Sequence, residues 1–174
     1  MEKVSECEML DNLFELQIDI DTEKLLQEAN NPTDFYNFID PLHKNSIDGW
    51  KIKHINHGYG FELSTFIADK FKLGICKPRF YRQEVGVTIH YHKDRGTLCS
   101  FNFLLSDNLD AISFKEGDVV YKNALLNTQV MHAVISPKTE RILYKVSVFD
   151  KSYDSVKNTL IEQGYNHNVL SFKL

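Results

Sequence analysis

A chain of 174 residues with a formal net charge of −4, a pI near 6.0, 43% hydrophobic and 25% charged residues has the composition of one ordinary globular domain. That balance excludes a disordered or collagen-like chain, and without a basic block it gives no support to a nucleic-acid grip. No stretch approaches the ~20 apolar residues of a membrane span. The acidic segment Met1 to Asp21 lacks the apolar run of a signal peptide, so a soluble, non-secreted protein is expected, cytoplasmic or, in a nucleated host, nuclear. Cys7, Cys76 and Cys99 form no CxxC pair, and an odd number of thiols fits reduced cysteines in an intracellular protein.

No internal repeat, low-complexity tract or Gly/Ser linker interrupts the chain. A single domain over 1–174 is therefore expected, with a helical N-terminal support (1–74), a β core (75–150) and a C-terminal helix and tail (151–174). Leu13 to Ile18 alternates and reads as a short strand. Asp21-Thr22 offers an N-cap to a helix over Glu23 to Ala29, stopped by Asn30-Asn31-Pro32. Thr33 and Asp34 are expected to cap another helical turn or two through Phe35, Phe38 and Ile39, ending before Pro41. Trp50 to Ile55 alternates like a strand. After the turn Gly58-Tyr59-Gly60, Leu63, Phe66, Ile67 and Phe71 recur at helical spacing, predicting an amphipathic helix that ends at Gly74.

From Ile75 the pattern becomes short strands separated by turns: 79–83, 85–92, 97–105, 111–114, 118–121, 130–135 and 142–149. Strands at this spacing predict an α+β, mainly β fold, a sandwich or jelly roll. Tyr153 to Gln163, with Val156, Leu160 and Ile161, predicts a closing helix before Gly164. Residues 31 to 60 and the segment Lys122 to Gln129 are the expected walls of any binding site.

Four residues carry the chemistry. In Val85 to His92, the residues Val85, Val87, Ile89 and Tyr91 share one face and Thr88, His90 and His92 the other. The more apolar set is expected in the packing, leaving His92 toward a polar interior, with Asp94 just past the strand. His132 lies in a later strand, and Arg141 follows it by nine residues, sharing a face with Leu143, Lys145 and Ser147. Two imidazoles and one carboxylate are the donor set of the facial site that suits non-haem Fe(II). The downstream Arg adds a planar fork for a carboxylate. A His-x-Asp triplet is common by chance among seven histidines; the order of triplet, second strand histidine and Arg is what carries the reading. His90, on the His92 face, is read as an outer partner, a substrate contact or a surface residue.

Tyr81 to Phe149 resembles the catalytic core of the Fe(II)/2-oxoglutarate-dependent oxygenases, in their prolyl-4-hydroxylase-like branch. The pieces are Phe80-Tyr81, His92-Lys93-Asp94, Phe101-Asn102-Phe103-Leu104-Leu105-Ser106, the run Phe114-Lys115-Glu116-Gly117-Asp118-Val119-Val120-Tyr121, His132-Ala133-Val134 and Arg141. The resemblance implies a double-stranded β-helix with helices packed outside, mostly from the N-terminal part. It implies that His92, Asp94 and His132 bind Fe(II), with no catalytic group beyond these ligands. It also implies that Arg141 pairs with the distal carboxylate of 2-oxoglutarate and that Tyr81 lies near this cosubstrate. The implied reaction hydroxylates a C–H bond with O2, releasing succinate and CO2, with ascorbate as a supporting reductant. The first substrate to expect is a peptidyl proline or another protein side chain; a small molecule is the next. Two departures stand out: Leu109-Asp110-Ala111-Ile112 replaces a frequent Gly-Gly, and Leu143 stands where many relatives carry Ser or Thr. The inward-facing Asn102, Lys145 and Ser147 are read either as compensating for this or as having a plain structural or solvent-facing role. A cupin-like small-molecule binder is one alternative, which has no use for Arg141. A nucleobase-oxidising oxygenase is another; Gly86, six before His92, fits it, while the absence of a second inward Arg on the last strand does not.

Overall fold

The computed structural model describes residues 10–31, 34–39, 46–107 and 110–173. After a 3-10 turn (Leu10–Asn12) come β1 (Leu13–Glu15), β2 (Ile18–Asp19), α1 (Thr22–Ala29), β3 (Tyr36–Ile39), β4 (Ser46–His54) and α2 (Tyr59–Phe71). Then follow β5 (Cys76–Gln83), β6 (Ile89–His92), β7 (Cys99–Leu104), β8 (Ile112–Phe114), β9 (Gly117–Val119) and β10 (Asn123–Leu126). The chain closes with β11 (His132–Val134), β12 (Arg141–Val148), α3 (Tyr153–Glu162) and β13 (Leu170–Ser171). The major sheet runs β1-β10-β7-β12-β5-β4-β3, antiparallel throughout, and the minor sheet runs β6-β11-β8-β9. A parallel pair, β13 with β2, ties the C-terminal segment to the N-terminal one.

Strand alternation divides the core in two. One face of the major sheet, with Phe80, Phe101, Phe103, Tyr144, Val146 and Val148, packs under the helices. The opposite face contributes Tyr81, Leu104, Ala124, Leu126 and Leu143 to a second core, completed by Ile112 and Phe114 of the minor sheet. In α2, Leu63, Ile67 and Phe71 recur every four residues and are fully buried, and the Phe71 ring stacks on Phe101 at 5.7 Å. Each such side chain contributes roughly 1.5–3 kcal/mol on leaving water. The start of α2 is held from α1: Glu28 accepts from the Tyr59 and Gly60 N–H groups at 2.5 and 3.1 Å. Gly58 has φ +85°, and a Cβ there would meet Glu28 Oε1 at 2.4 Å, so this turn requires glycine.

Several elements differ from the sequence-based expectation. Residues 36–39 form a strand, not helical turns, because β4 leaves a free ladder that Tyr36 and Asn37 pair with at Ile52 and Lys51. Pro32, Thr33 and Pro41, which framed that helix, lie outside the described residues, as do Cys7 and Leu109. The N-terminal part thus supplies β1, β3 and β4 to the major sheet as well as two helices. The segment 122–129 contains β10, which enters the sheet between β1 and β7. Its Ala124, Leu125 and Leu126 are all buried, because a strand covered on both faces loses the alternation that marks one. Of 85–92 only Ile89–His92 is strand; Gly86 turns at φ +78° and Val85 is exposed. Helix α2 ends at Lys72, which takes the left-handed conformation at φ 52°, two residues before Gly74. Asp150 instead receives the Gly74 N–H, at 2.7 Å, and a Cβ at Gly74 would meet its Oδ2 at 2.9 Å. Cys76 and Cys99 are free thiols, and burial pushes them up to about 11 and about 12. No helix among the described residues is long and apolar enough to cross a membrane.

Candidate metal and dicarboxylate site

The minor sheet sets two imidazoles side by side. His92 at the end of β6 and His132 at the start of β11 are directly paired residues, with ring centroids 4.5 Å apart. Each ring is turned by a main-chain carbonyl two residues earlier: His92 Nδ1 lies 2.8 Å from the His90 oxygen and His132 Nδ1 2.9 Å from the Val130 oxygen. A carbonyl accepts only from an N–H, so the hydrogen bonding assigns a proton to Nδ1 and makes Nε2 the nitrogen that can donate to a metal once it is unprotonated. His90 therefore acts through its backbone, while its own side chain is exposed.

Asp94 closes the group from the turn after β6. Its Oδ1 lies 3.3 Å from His92 Nε2 and 3.6 Å from His132 Nε2, and the three ligand atoms all fall within 4.8 Å of one another. Ligands about 2.1 Å from one metal and at right angles stand roughly 3 Å apart, so this donor set fits a facial site. Its turn is anchored by residues just before β11. The Asp94 N–H donates to the Thr128 carbonyl at 3.0 Å, and Gln129 Nε2 donates to the Asp94 and Thr97 carbonyls. The group opens on one side: the His92 side chain is 41% exposed, against 7% for His132.

Lys145, on the inner face of β12, reaches across from the major sheet and pairs with Asp94 Oδ2. Burial works against the Asp94 charge, but Lys145 and the two imidazoles outweigh it and hold its carboxyl well below the usual range. Burial likewise opposes the Lys145 ammonium, and Asp94 overcomes this, so its pKa is raised. For His92, burial favours the neutral ring, yet Asp94 and the His90 carbonyl raise its pKa above 6.5.

Four residues back along β12, roughly 13 Å by strand rise, Arg141 is buried at 3% exposure. Its Nη2 donates to the Tyr121 hydroxyl at 3.0 Å, and its buried Nε has no partner among the described residues. Among the described residues no carboxylate lies within ion-pair distance of it. The Tyr121 oxygen also accepts from Asn102 Nδ2 at 3.2 Å, and Asn102 Oδ1 accepts from Ser100 at 2.8 Å. Tyr81 is buried between the sheets, stacked on Trp50 at 5.1 Å, with the Lys145 ammonium 5.8 Å from its ring centre.

The structure brings together His92, Asp94, His132, Lys145 and Tyr81, and joins Arg141 to Asn102 through Tyr121. Two of the residues expected to face the cosubstrate sit apart from Arg141. Lys145 is engaged by Asp94. Ser147 pairs with Ser100 and Lys77 in register, further along β12 from Arg141, and no hydrogen bond links it to the group. Sequence reasoning missed Tyr121, Thr128 and Gln129. Tyr121 ends a run of β-formers and looks like packing; Thr128 works through its own carbonyl and Gln129 donates to the carbonyls of Asp94 and Thr97, pairings that leave no mark on a sequence.

No family model matches the sequence, and no curated protein matches it significantly. Solved structures match its fold, the double-stranded β-helix. A prolyl hydroxylase from Trichoplax adhaerens, in complex with a hypoxia inducible factor oxygen degradation domain peptide fragment, has a TM-score of 0.65 at 13% identity, covering 87% of this chain and 89% of that one. A Pseudomonas putida prolyl-4-hydroxylase has a TM-score of 0.59 at 12% identity over 83% of this chain and 96% of that one. The viral collagen prolyl hydroxylase from Paramecium Bursaria Chlorella virus-1, solved as a 2OG complex, has a TM-score of 0.50 at 11% identity over 79% and 95%. The chain has the fold of the prolyl hydroxylases.

Proposed function

We propose that this chain is an Fe(II)- and 2-oxoglutarate-dependent dioxygenase that hydroxylates a C–H bond of a peptide side chain, with a peptidyl proline as first candidate. One observation carries the reading: a buried guanidinium with no acidic partner among the described residues stands on the same sheet face as the lysine that grips a His-Asp-His group. A buried unpaired cation is costly, by several kcal/mol, unless an anion completes it. A dicarboxylate that reaches from the metal to Arg141 is such an anion. The peptide is suggested by the Trichoplax neighbour, which was solved with one.

His92, Asp94 and His132 would hold the metal through Nε2, Oδ1 and Nε2. Fe(II), when bound, supplies the oxygen chemistry: one atom of O2 goes to the substrate carbon and the other to succinate as 2-oxoglutarate loses CO2. The chain's own residues bind and orient. Arg141 offers Nε and its remaining N–H groups to the far carboxylate. The Tyr121 oxygen already accepts from Arg141 and Asn102, so its own proton is free to donate to the same carboxylate. Trp50, Tyr81 and Leu143 wall this end with apolar surface and keep water away from the anchor. Substrate approaches from the His92 side, where the group is open.

The test is succinate production from 2-oxoglutarate under Fe(II) and ascorbate. Wild-type protein releases succinate even without its partner substrate, slowly, and His132→Ala and Asp94→Ala release none above background. Wild-type rates in both variants would remove the reading.

A further inference from the structure

The two oxygens of Asp94 serve different partners. Oδ1 faces both imidazole Nε2 atoms, at 3.3 and 3.6 Å, while Oδ2 is taken by the Lys145 ammonium. The pair bridges the sheets, Lys145 coming from β12 and Asp94 from the turn after β6. Asp94 is the only acidic partner of Lys145 among the described residues, and the ammonium otherwise lies over the Tyr81 ring. Both side chains are largely out of water, at 12% and 15% exposure, so their charges act on the group with little screening.

The charge count has a consequence. As metal donors both imidazoles are neutral, so with one carboxylate and one ammonium the group that a divalent metal enters sums to zero. Once it is bound, metal, Lys145 and Arg141 together present a strongly positive wall to the cavity. Without Lys145 the group would be an anion that attracts the bare metal more and a dianion less.

We propose that Lys145 is a positioning residue that holds Asp94 to donation through Oδ1 alone and shifts binding strength from the bare metal to the dianionic cosubstrate. This rests on the function proposed above. Lys145 touches neither reacting atoms nor metal; it acts through Asp94 and through its fixed charge.

The experiment is a pair of anaerobic calorimetric titrations: Mn(II) into the metal-free protein, then 2-oxoglutarate into the Mn(II)-saturated protein. Lys145→Met is expected to bind Mn(II) at least about tenfold tighter and 2-oxoglutarate at least about tenfold more weakly, given a unit charge a few ångströms away. Lys145→Gln, which keeps a hydrogen bond to Oδ2 without charge, shows the same opposed changes. Lys145→Arg stays within about threefold of wild type for both ligands, since it keeps the charge that sets them. A merely structural lysine would move both affinities the same way, or neither, and either result overturns the proposal. Should the uncharged variants not fold, a salt series on wild-type protein decides. A neutral group predicts Mn(II) affinity nearly flat in salt and 2-oxoglutarate affinity falling; a steep fall for Mn(II) contradicts it. Wild-type protein that binds no Mn(II) removes the metal reading itself, whereas wild-type binding with like-signed changes in the variants removes only the role of Lys145.

Discussion

On its helix side β12 presents Ile142, Tyr144, Val146 and Val148 to the larger apolar core; on its other side the same eight residues present Arg141, Leu143, Lys145 and Ser147. Both faces are buried, but by opposite physics. The first face gains free energy from every side chain removed from water. The second carries two buried cations, each a cost that only a partner offsets. Lys145 has its partner in Asp94, and among the described residues Arg141 has only hydroxyl help from Tyr121. The contrast separates what holds this fold together from what the fold is for: one face stabilises the sheet, and the other spends stability on holding charge where a ligand can meet it.

Substitutions on the two faces should therefore move different measurements. The largest effect is expected on the helix side. Phe71→Ala, which empties a fully buried site against Phe101, should cost about 3–5 kcal/mol in denaturant unfolding and leave Mn(II) affinity unchanged. On the charged side, His92→Ala should weaken Mn(II) binding by more than about a hundredfold, beyond the loss of an outer partner. Its melting temperature should hardly move, because that side chain is 41% exposed. Arg141→Lys keeps the charge and loses the fork, so KM for 2-oxoglutarate should rise about tenfold with Mn(II) affinity intact; equal loss of both would blur the division drawn here.

Smaller effects sharpen it. Glu28→Gln removes the carboxylate that caps α2, and unfolding should report a loss of about 0.5–2 kcal/mol with no change in ligand binding. The pH dependence has a definite sign. His92 is raised above 6.5 in the metal-free protein, so protons compete with metal. Mn(II) affinity should climb as pH rises through the raised value and then level off. For the metal-free fold the sign reverses: the extra stability from charged His92 is full below 6.5 and disappears as pH rises through its folded pKa. An affinity that falls with rising pH would contradict the first, and a metal-free stability that rises through the same range would contradict the second.

Much of this division is legible in the sequence. In β12 the alternation of Ile142, Tyr144, Val146 and Val148 with Arg141, Lys145 and Ser147 can be read directly, because strand period two separates the faces. The capped helix at Asp21 and the Leu63–Ile67–Phe71 stripe read equally well. Strand β10 does not, since a segment buried on both faces carries no alternation, and β3 does not, since its pairing depends on a distant strand. Within the candidate site, the order of His92, Asp94, His132 and Arg141 can be seen in the chain. The Lys145–Asp94 pair cannot, because it joins opposite sheets, and neither can the carbonyls of His90, Val130 and Thr128 that orient the group.

The most direct test of the central claim is the thermal stability of wild-type protein with Mn(II) and 2-oxoglutarate, added singly and together, beside Asp94→Ala. A dicarboxylate bridging metal and Arg141 predicts that 2-oxoglutarate stabilises only the Mn(II)-loaded wild type, by about 2.7 kcal/mol at a hundredfold excess over its Kd, and does nothing to Asp94→Ala. Stabilisation by 2-oxoglutarate that is equal with and without metal, or equal in the variant, would contradict it.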